Sequence, residues 1–308
     1  EQRLREWLDF HFMVGFDHMY VYDNSGANSD DALLAGVVAE YPASKVTRID
    51  WPAAVCNNNN PLDPAPGEGS SQYAAENSCR TRYAPYSEWF AFFDIDELMI
   101  PMGKYTSWKE ILKLKPSTTN VVSLRSGRSR LRMDHSYPVS DFDEGRKKNA
   151  TSLFLEAYNC DMYDWPKGDR QTKNRKEFYR SDYVLQHFVH YTLVTKQALD
   201  VLPPGMASHG AKAIALNLSL MEYPDEIDEA VMLHARYISP YESSVIYREC
   251  LASYKPYFDV CMAGFPFPKG VRPTKEIPIP ANIDGVAYNC YINEHLENFW
   301  VPRLKEYR

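Results

Sequence analysis

Hydrophobic and polar positions change rhythm at Trp89-Phe90-Ala91-Phe92-Phe93-Asp94-Ile95-Asp96-Glu97-Leu98, where five apolar residues in a row end on an acidic cluster. An apolar run without alternation suits a strand covered on both faces, as in the sheets of α/β proteins. The pattern predicts a mixed sheet with Phe90 to Phe93 as an interior strand and Asp94 and Asp96 at its carboxyl end. Ligands of open α/β sheets bind outside such strand ends. Two carboxylates two residues apart can approach one divalent ion, and hard oxygen donors without nearby Cys or His favour Mg²⁺ or Mn²⁺, which also hold a diphosphate. The plain alternative is an acidic loop capping the next helix.

Elsewhere the spacing supports alternating helices and strands. Leu4, Trp7, Leu8, Phe12 and Val14 mark an opening amphipathic helix that stops at Gly15. His18 to Tyr22 reads as a strand, Ser29 as the cap of a helix ending before Pro42, and Lys45 to Trp51 as the next strand. Asn57 to Ser71 is a long loop, Gln72 to Tyr83 is helical, and the α/β half runs to roughly Lys115. Asn120 to Arg125, Leu153 to Tyr158 and Tyr183 to Val189 look like further strands, and Tyr241 to Leu251 like a helix. The Pro-rich stretch from Phe265 to Pro280 suggests a tail over the surface.

Composition narrows the class. With 308 residues and 44% hydrophobic content the chain can build one large domain or two modest ones. A net charge of −7 argues against a duplex nucleic-acid binder, whose affinity needs a basic footprint. Six scattered cysteines without a C-x-x-C pair argue against a structural zinc site, while their even number permits disulfides. Asn149-Ala150-Thr151 and Asn217-Leu218-Ser219 are N-x-S/T acceptors that fit a secretory lumen. No apolar stretch reaches the roughly 18 residues of a membrane span. The opening Glu1-Gln2-Arg3 enters a helix already under way, which suggests an N-terminal truncation and a membrane anchor, if any, outside this chain.

Three segments together resemble glycosyltransferase family 92. They are Glu6-Trp7-Leu8 through Asp23-Asn24-Ser25, Gln72-Tyr73-Ala74 through Cys79 followed by Phe93-Asp94-Ile95-Asp96-Glu97, and Lys176-Glu177-Phe178-Tyr179-Arg180 through Val189-His190 with His234-Ala235-Arg236 beyond. The resemblance implies a GT-A-like, Rossmann-related mixed sheet flanked by helices, without the family's opening strand, because nothing in this chain precedes Glu1 to supply it. It also implies a glycosyltransferase domain over 1–264, with a nucleotide-binding half about 1–115 and an acceptor half about 116–264, followed by a Pro-rich extension over 265–308. Residues 126–150 match the family's middle poorly.

That likeness implies transfer of a hexose, galactose foremost, from a UDP-sugar to a glycan acceptor with Mn²⁺ or Mg²⁺, in the Golgi or another secretory lumen. Asp96 would hold the metal with Asp94, and His190, expected to approach both aspartates across the cleft, would add a third ligand or diphosphate contact with His234 competing. Asp23 and Asn24 would read the nucleoside, and Lys176, Arg180 and Arg236 the phosphates. Inversion in one displacement needs a carboxylate base, for which Glu156, an acid in an apolar strand pattern, is the first choice and Asp134 and Asp161 are rivals. Each has a bland reading too: a turn for Asp23 and Asn24, solvated charges for Lys176 and Arg180, buried hydrogen-bonded histidines, a solvent-facing Glu156. Two other classes remain in view. Phosphohydrolases also place D-x-D after a buried strand, though with Thr or Val where Leu98 stands here, and a binding module can keep a fold without turnover.

Overall fold

A computed structural model describes residues 1–24, 34–52, 68–129, 153–159, 175–181, 184–188, 191–194, 221–235, 274–278 and 289–308. Helix α1 (Gln2–Met13) buries Leu4, Trp7, Leu8 and Phe10, the face its apolar spacing predicts. It stops at Gly15, whose φ of 97° suits glycine and whose missing Cβ leaves room for the Ser107 hydroxyl. Strand β1 (Met19–Asp23) follows, then the short helix α2 (Ala35–Val38) and strand β2 (Val46–Asp50), which pairs in parallel with β1 from Met19↔Val46 to Asp23↔Asp50. Helix α3 (Glu68–Tyr83) leads through a 3-10 turn to β3 (Trp89–Ala91).

Strand β4 (Glu97–Pro101) precedes α4 (Trp108–Lys113), whose first turn is closed by Ser107 and Glu110. Then come β5 (Val121–Ser129), the single-turn α5 (Phe154–Ala157), β6 (Arg175–Arg180), β7 (Val184–Phe188), β8 (Tyr191–Val194), β9 (Met221–Glu222), β10 (Ala230–Ala235), β11 (Thr274–Pro278) and β12 (Asn289–Asn293). A π-helical turn (Leu296–Trp300) enters the final helix α6 (Val301–Tyr307). The largest sheet has the order β3-β6-β5-β10-β4, with β9 beside β5. It is mixed: β6 runs antiparallel to β3 and β5, and β10 runs parallel to β5 but antiparallel to β4. Its first and last strands, β3 and β4, are consecutive in the chain, so residues 92–96 turn the corner between the two ends of the strand path.

Two sequence expectations change here. The Phe90–Phe93 run is not an interior strand: β3 ends at Ala91 and, among the described residues, pairs only with β6. Its faces explain the unbroken apolar pattern. Phe90 and Phe92 join Tyr20, Tyr22, Tyr83 and Tyr179 in one cluster, whereas Trp89, Ala91 and Phe93 pack against the main core containing Trp7 and Phe10. Both faces are covered, and that is what the pattern reports, not two paired edges.

The second change is Leu153–Tyr158, which forms helix α5 with Glu156 accepting a hydrogen bond from the Leu153 N–H at 3.3 Å. A short apolar run does not separate strand from buried helix. Residues 292–308 contribute to the core. Ile292, Leu296, Trp300 and Leu304 are each at most 1% exposed. Trp300 donates to the Pro101 carbonyl at 2.9 Å, and Arg308 reaches Asp9 of α1 at 3.1 Å. The Pro-rich residues 265–273 and the helix expected over 241–251 lie outside the described residues.

Candidate functional site

A cleft of about 1600 Å³ opens between β1 and the segment running from β3 to the acidic turn. Tyr20, Tyr22, Trp51 and Phe92 contribute aromatic walls, and Asn24, Gln72, Glu76, Asp94 and Asp96 contribute polar groups. The acidic residues sit on a tight turn. The Glu97 N–H closes it on the Asp94 carbonyl at 3.0 Å. The Trp7 indole N–H donates to the Asp94 and Glu97 carbonyls at 3.1 and 2.9 Å, and the Ala235 N–H holds the Asp96 carbonyl at 2.7 Å. Contacts from α1 and β10 thus fix the backbone that carries both aspartates.

The two carboxylates have different surroundings. Asp94 is 44% exposed, and each of its oxygens already accepts from a protein donor: Gln72 Nε2 at 2.9 Å and Lys176 Nζ at 3.2 Å. Asp96 is 29% exposed, and its Oδ2 lies 3.4 Å from His234 Nε2. Burial opposes ionisation of Asp96, but the bond and charge of His234 outweigh it and hold the carboxyl below its ordinary value.

Behind the turn lies a buried charge cluster. Lys176 is 1% exposed and also reaches Glu97 Oε2 at 3.3 Å. Burial works against its ammonium, yet Glu97, Asp94 and Glu76 together raise its pKa. Burial pushes the carboxyls of Glu97 and Glu76 up to about 7, only partly countered by Lys176.

Other predicted site residues separate into three groups. Asn24 lines the cleft, but its neighbour Asp23 is fully buried and bound by Arg48 Nε at 2.7 Å. Lys176, expected at the phosphates, is instead enclosed behind Asp94. Arg180 lines the cleft with its guanidinium held by Glu88 at 2.6 Å and the Thr119 carbonyl at 3.1 Å, 4.4 Å above the Trp89 ring. Glu156 is not among the residues lining the cleft; it bonds Lys305 at 3.1 Å on α5.

Asp134, Asp161, His190 and Arg236 lie outside the described residues. His190 was expected to follow an interior strand, but β7 pairs only with β8 among the described residues, in a two-stranded hairpin. Among the described residues no group of three or more His, Cys, Asp or Glu is arranged to hold a metal by itself.

Sequence reasoning did not single out Gln72, Glu76, Glu97 or Trp7. Gln72 and Glu76 stand four apart on one face of α3, and Glu97 stands three residues after Asp94, the spacing of a side chain that bonds back to a turn amide; both signals were readable. Trp7 meets the turn across 87 residues of chain, which no local pattern encodes.

A sequence model of glycosyltransferase family 92 matches residues 1–257, most of the chain and all of the elements that build this site. The chain belongs to glycosyltransferase family 92. A family 92 protein of rice, Oryza sativa subsp. japonica, is 32% identical over 159 residues, which cover 51% of this chain and 22% of that protein. The chain thus spans less than a quarter of the length of the relative it matches. Family membership agrees with the mixed α/β architecture.

Proposed function

We propose that this chain carries a metal-dependent inverting glycosyltransferase site that moves a hexose, galactose foremost, from a UDP-sugar to a hydroxyl of a glycan acceptor. The observation that carries this reading is the Asp94–Glu97 turn, which presents two carboxylates at the rim of an aromatic-walled cleft in a family 92 chain. The donor set suits a hard divalent ion that shares its shell with a diphosphate, because such ions take one or two carboxylates together with substrate oxygens and need no complete protein cage. Asp96 is the direct ligand in this reading, with His234 or His190 beside it, since both oxygens of Asp94 already accept from Gln72 and Lys176. When bound, Mn²⁺ or Mg²⁺ supplies positive charge to the departing diphosphate.

The remaining tasks fall to the chain. Asp94, locked by two donors, is oriented to accept from the sugar nucleotide, and Asn24 stands at the end of β1 to meet the nucleoside. Arg180 at the cleft and Arg236 offer planar cationic donors to phosphate oxygens. In one displacement the acceptor hydroxyl bonds the anomeric carbon as the bond to the diphosphate breaks, and its proton passes to a carboxylate. Asp134 and Asp161 remain the candidate bases, since Glu156 is engaged by Lys305. The N-x-S/T acceptors Asn149 and Asn217 support a Golgi or other secretory lumen, and no helix among the described residues is long and apolar enough to cross a membrane.

The test is thermal stability of the chain with nucleotide sugars, with Mn²⁺ and with EDTA, followed by sugar release from the stabilising donor. A ligand that binds only the folded state raises the melting temperature with its occupancy. UDP-galactose should stabilise only when Mn²⁺ or Mg²⁺ is present. Binding without any release or transfer would make the chain a binding module, and phosphate release from simple monoesters without nucleotide-sugar binding would make it a phosphohydrolase.

A further inference from the structure

Glu97 begins β4, whose next three residues, Leu98, Met99 and Ile100, are each at most 1% exposed. At 2% exposure it does not itself meet a ligand in the cleft. Its contacts point to the acidic turn. Oε2 accepts from the Asp94 N–H at 2.8 Å and lies 3.3 Å from Lys176 Nζ, which reaches Asp94 Oδ2 at 3.2 Å. Across the β4–β10 ladder Glu97 pairs directly with His234, with Oε1 4.0 Å from Nδ1 while Nε2 faces Asp96. One enclosed carboxylate therefore backs Asp94 on one side and His234 on the other.

We infer that Glu97 is a positioning residue that fastens the Asp94–Glu97 turn, giving Asp94 and Asp96 a single presentation toward the cleft before any ligand arrives. Two like charges on one short turn repel, and the Asp94 N–H needs an acceptor of its own. Glu97 meets both demands, accepting that N–H and holding Lys176 against Asp94. Without it the amide and the buried ammonium each lose a partner. The catalytic consequence of this role rests on the transferase reading above; the fastening of the turn does not.

The experiment uses the full chain with Glu97→Ala and Glu97→Gln, reading hydrogen exchange of the peptide spanning 92–98 without ligand and calorimetric affinity for UDP in Mn²⁺. The alanine variant should exchange at least about tenfold faster in that peptide, with β1 and α4 unchanged. Its affinity for UDP in Mn²⁺ should fall about 10- to 100-fold, the usual cost of losing a group that orients metal ligands. Glutamine keeps an oxygen for the Asp94 N–H and should stay near wild type in exchange. Should the alanine variant not fold, Glu97→Ala with Lys176→Met, which removes buried charge of both signs, carries the same expectation. A folded Glu97→Ala variant, or the folded double variant in its place, with wild-type exchange at 92–98 or with wild-type affinity for UDP in Mn²⁺ overturns the role. If the wild type itself binds no UDP in Mn²⁺ while the turn still loosens in the variant, the transferase reading fails and the positioning role stands.

Discussion

Strand β1 and the run through β3 each deliver an aspartate beside the same cleft, and the two ends have opposite fates. Asp23 closes β1 fully buried, with Arg48 Nε at 2.7 Å neutralising it. Asp96 follows β3 by five residues, stays 29% exposed, and faces a histidine edge at 3.4 Å. A carboxylate at a strand end is thus not a ligand by position alone. It becomes available when no stronger cation claims it and when its backbone is held by other elements, as Trp7 and Ala235 hold the turn.

The sharpest way to break this comparison is Asp96→Asn. Metal-dependent donor turnover should fall on the order of 100- to 1000-fold, with the melting temperature nearly unchanged because the side chain stands at a rim and leaves no core cavity. Unchanged turnover in folded protein would remove Asp96 from the site. Asp23→Asn should show the reverse, losing about 3 kcal/mol of stability in a urea titration because a buried ion pair is left half made. If that variant is as stable as wild type but no longer binds UDP, the end of β1 is a ligand site as well.

A smaller effect tests whether burial silences charge in α1 as it does at Asp23. His11 is fully enclosed, donating from Nδ1 to the Trp7 carbonyl at 2.7 Å and accepting at Nε2 from the Met99 N–H at 3.2 Å. That arrangement needs the neutral ring, and burial lowers its pKa from 6.5 to about 3. The unfolded chain then binds more protons than the folded one between those values, so the His11 contribution is present above pH 6.5 and is lost as pH falls toward 3. Between pH 8 and pH 5 the loss is about 2 kcal/mol.

Glu76 and Glu97 act oppositely, since their raised pKa values favour the folded state as pH falls from about 7. The His11 contribution is therefore the difference between wild type and His11→Gln across the titration. No difference in slope would show that His11 takes up protons as readily in the fold as in the unfolded chain. The smallest effect belongs to Glu156→Gln, which should cost about 0.5–1 kcal/mol through its half-exposed bond to Lys305 and leave turnover alone. A collapse of turnover in that folded variant would restore Glu156 as the base.

Much of the frame was readable from local pattern. The 3.6-residue spacing from Leu4 to Val14 marks α1, Gly15 marks its end, and the strands at Met19–Asp23, Val46–Asp50 and Val121–Ser129 follow apolar segments bounded by turn residues. The acidic turn was legible as a candidate site because two acids follow a strongly apolar run. Its supports were not. Lys176 reads as a solvated cation four residues from Arg180, and Asp94 and Glu97, some 80 residues away in the chain, hold it inside together with the charge of Glu76. Leu153–Tyr158 carries too few residues to show a period, and the bond of Glu156 back to the Leu153 amide that closes its first turn is not encoded in apolar spacing.

The segment Trp89–Phe93 serves two hydrophobic clusters at once, alternate residues facing alternate sides. Evolution can therefore exchange these side chains one at a time more easily than it can change their number. Inserting or deleting a single residue there would send the rings beyond it to the opposite face and shift the acidic turn relative to Trp7 and Ala235. Length variation among descendants of this chain should fall elsewhere, with the count of residues between Trp89 and Asp94 held constant even where their identities drift.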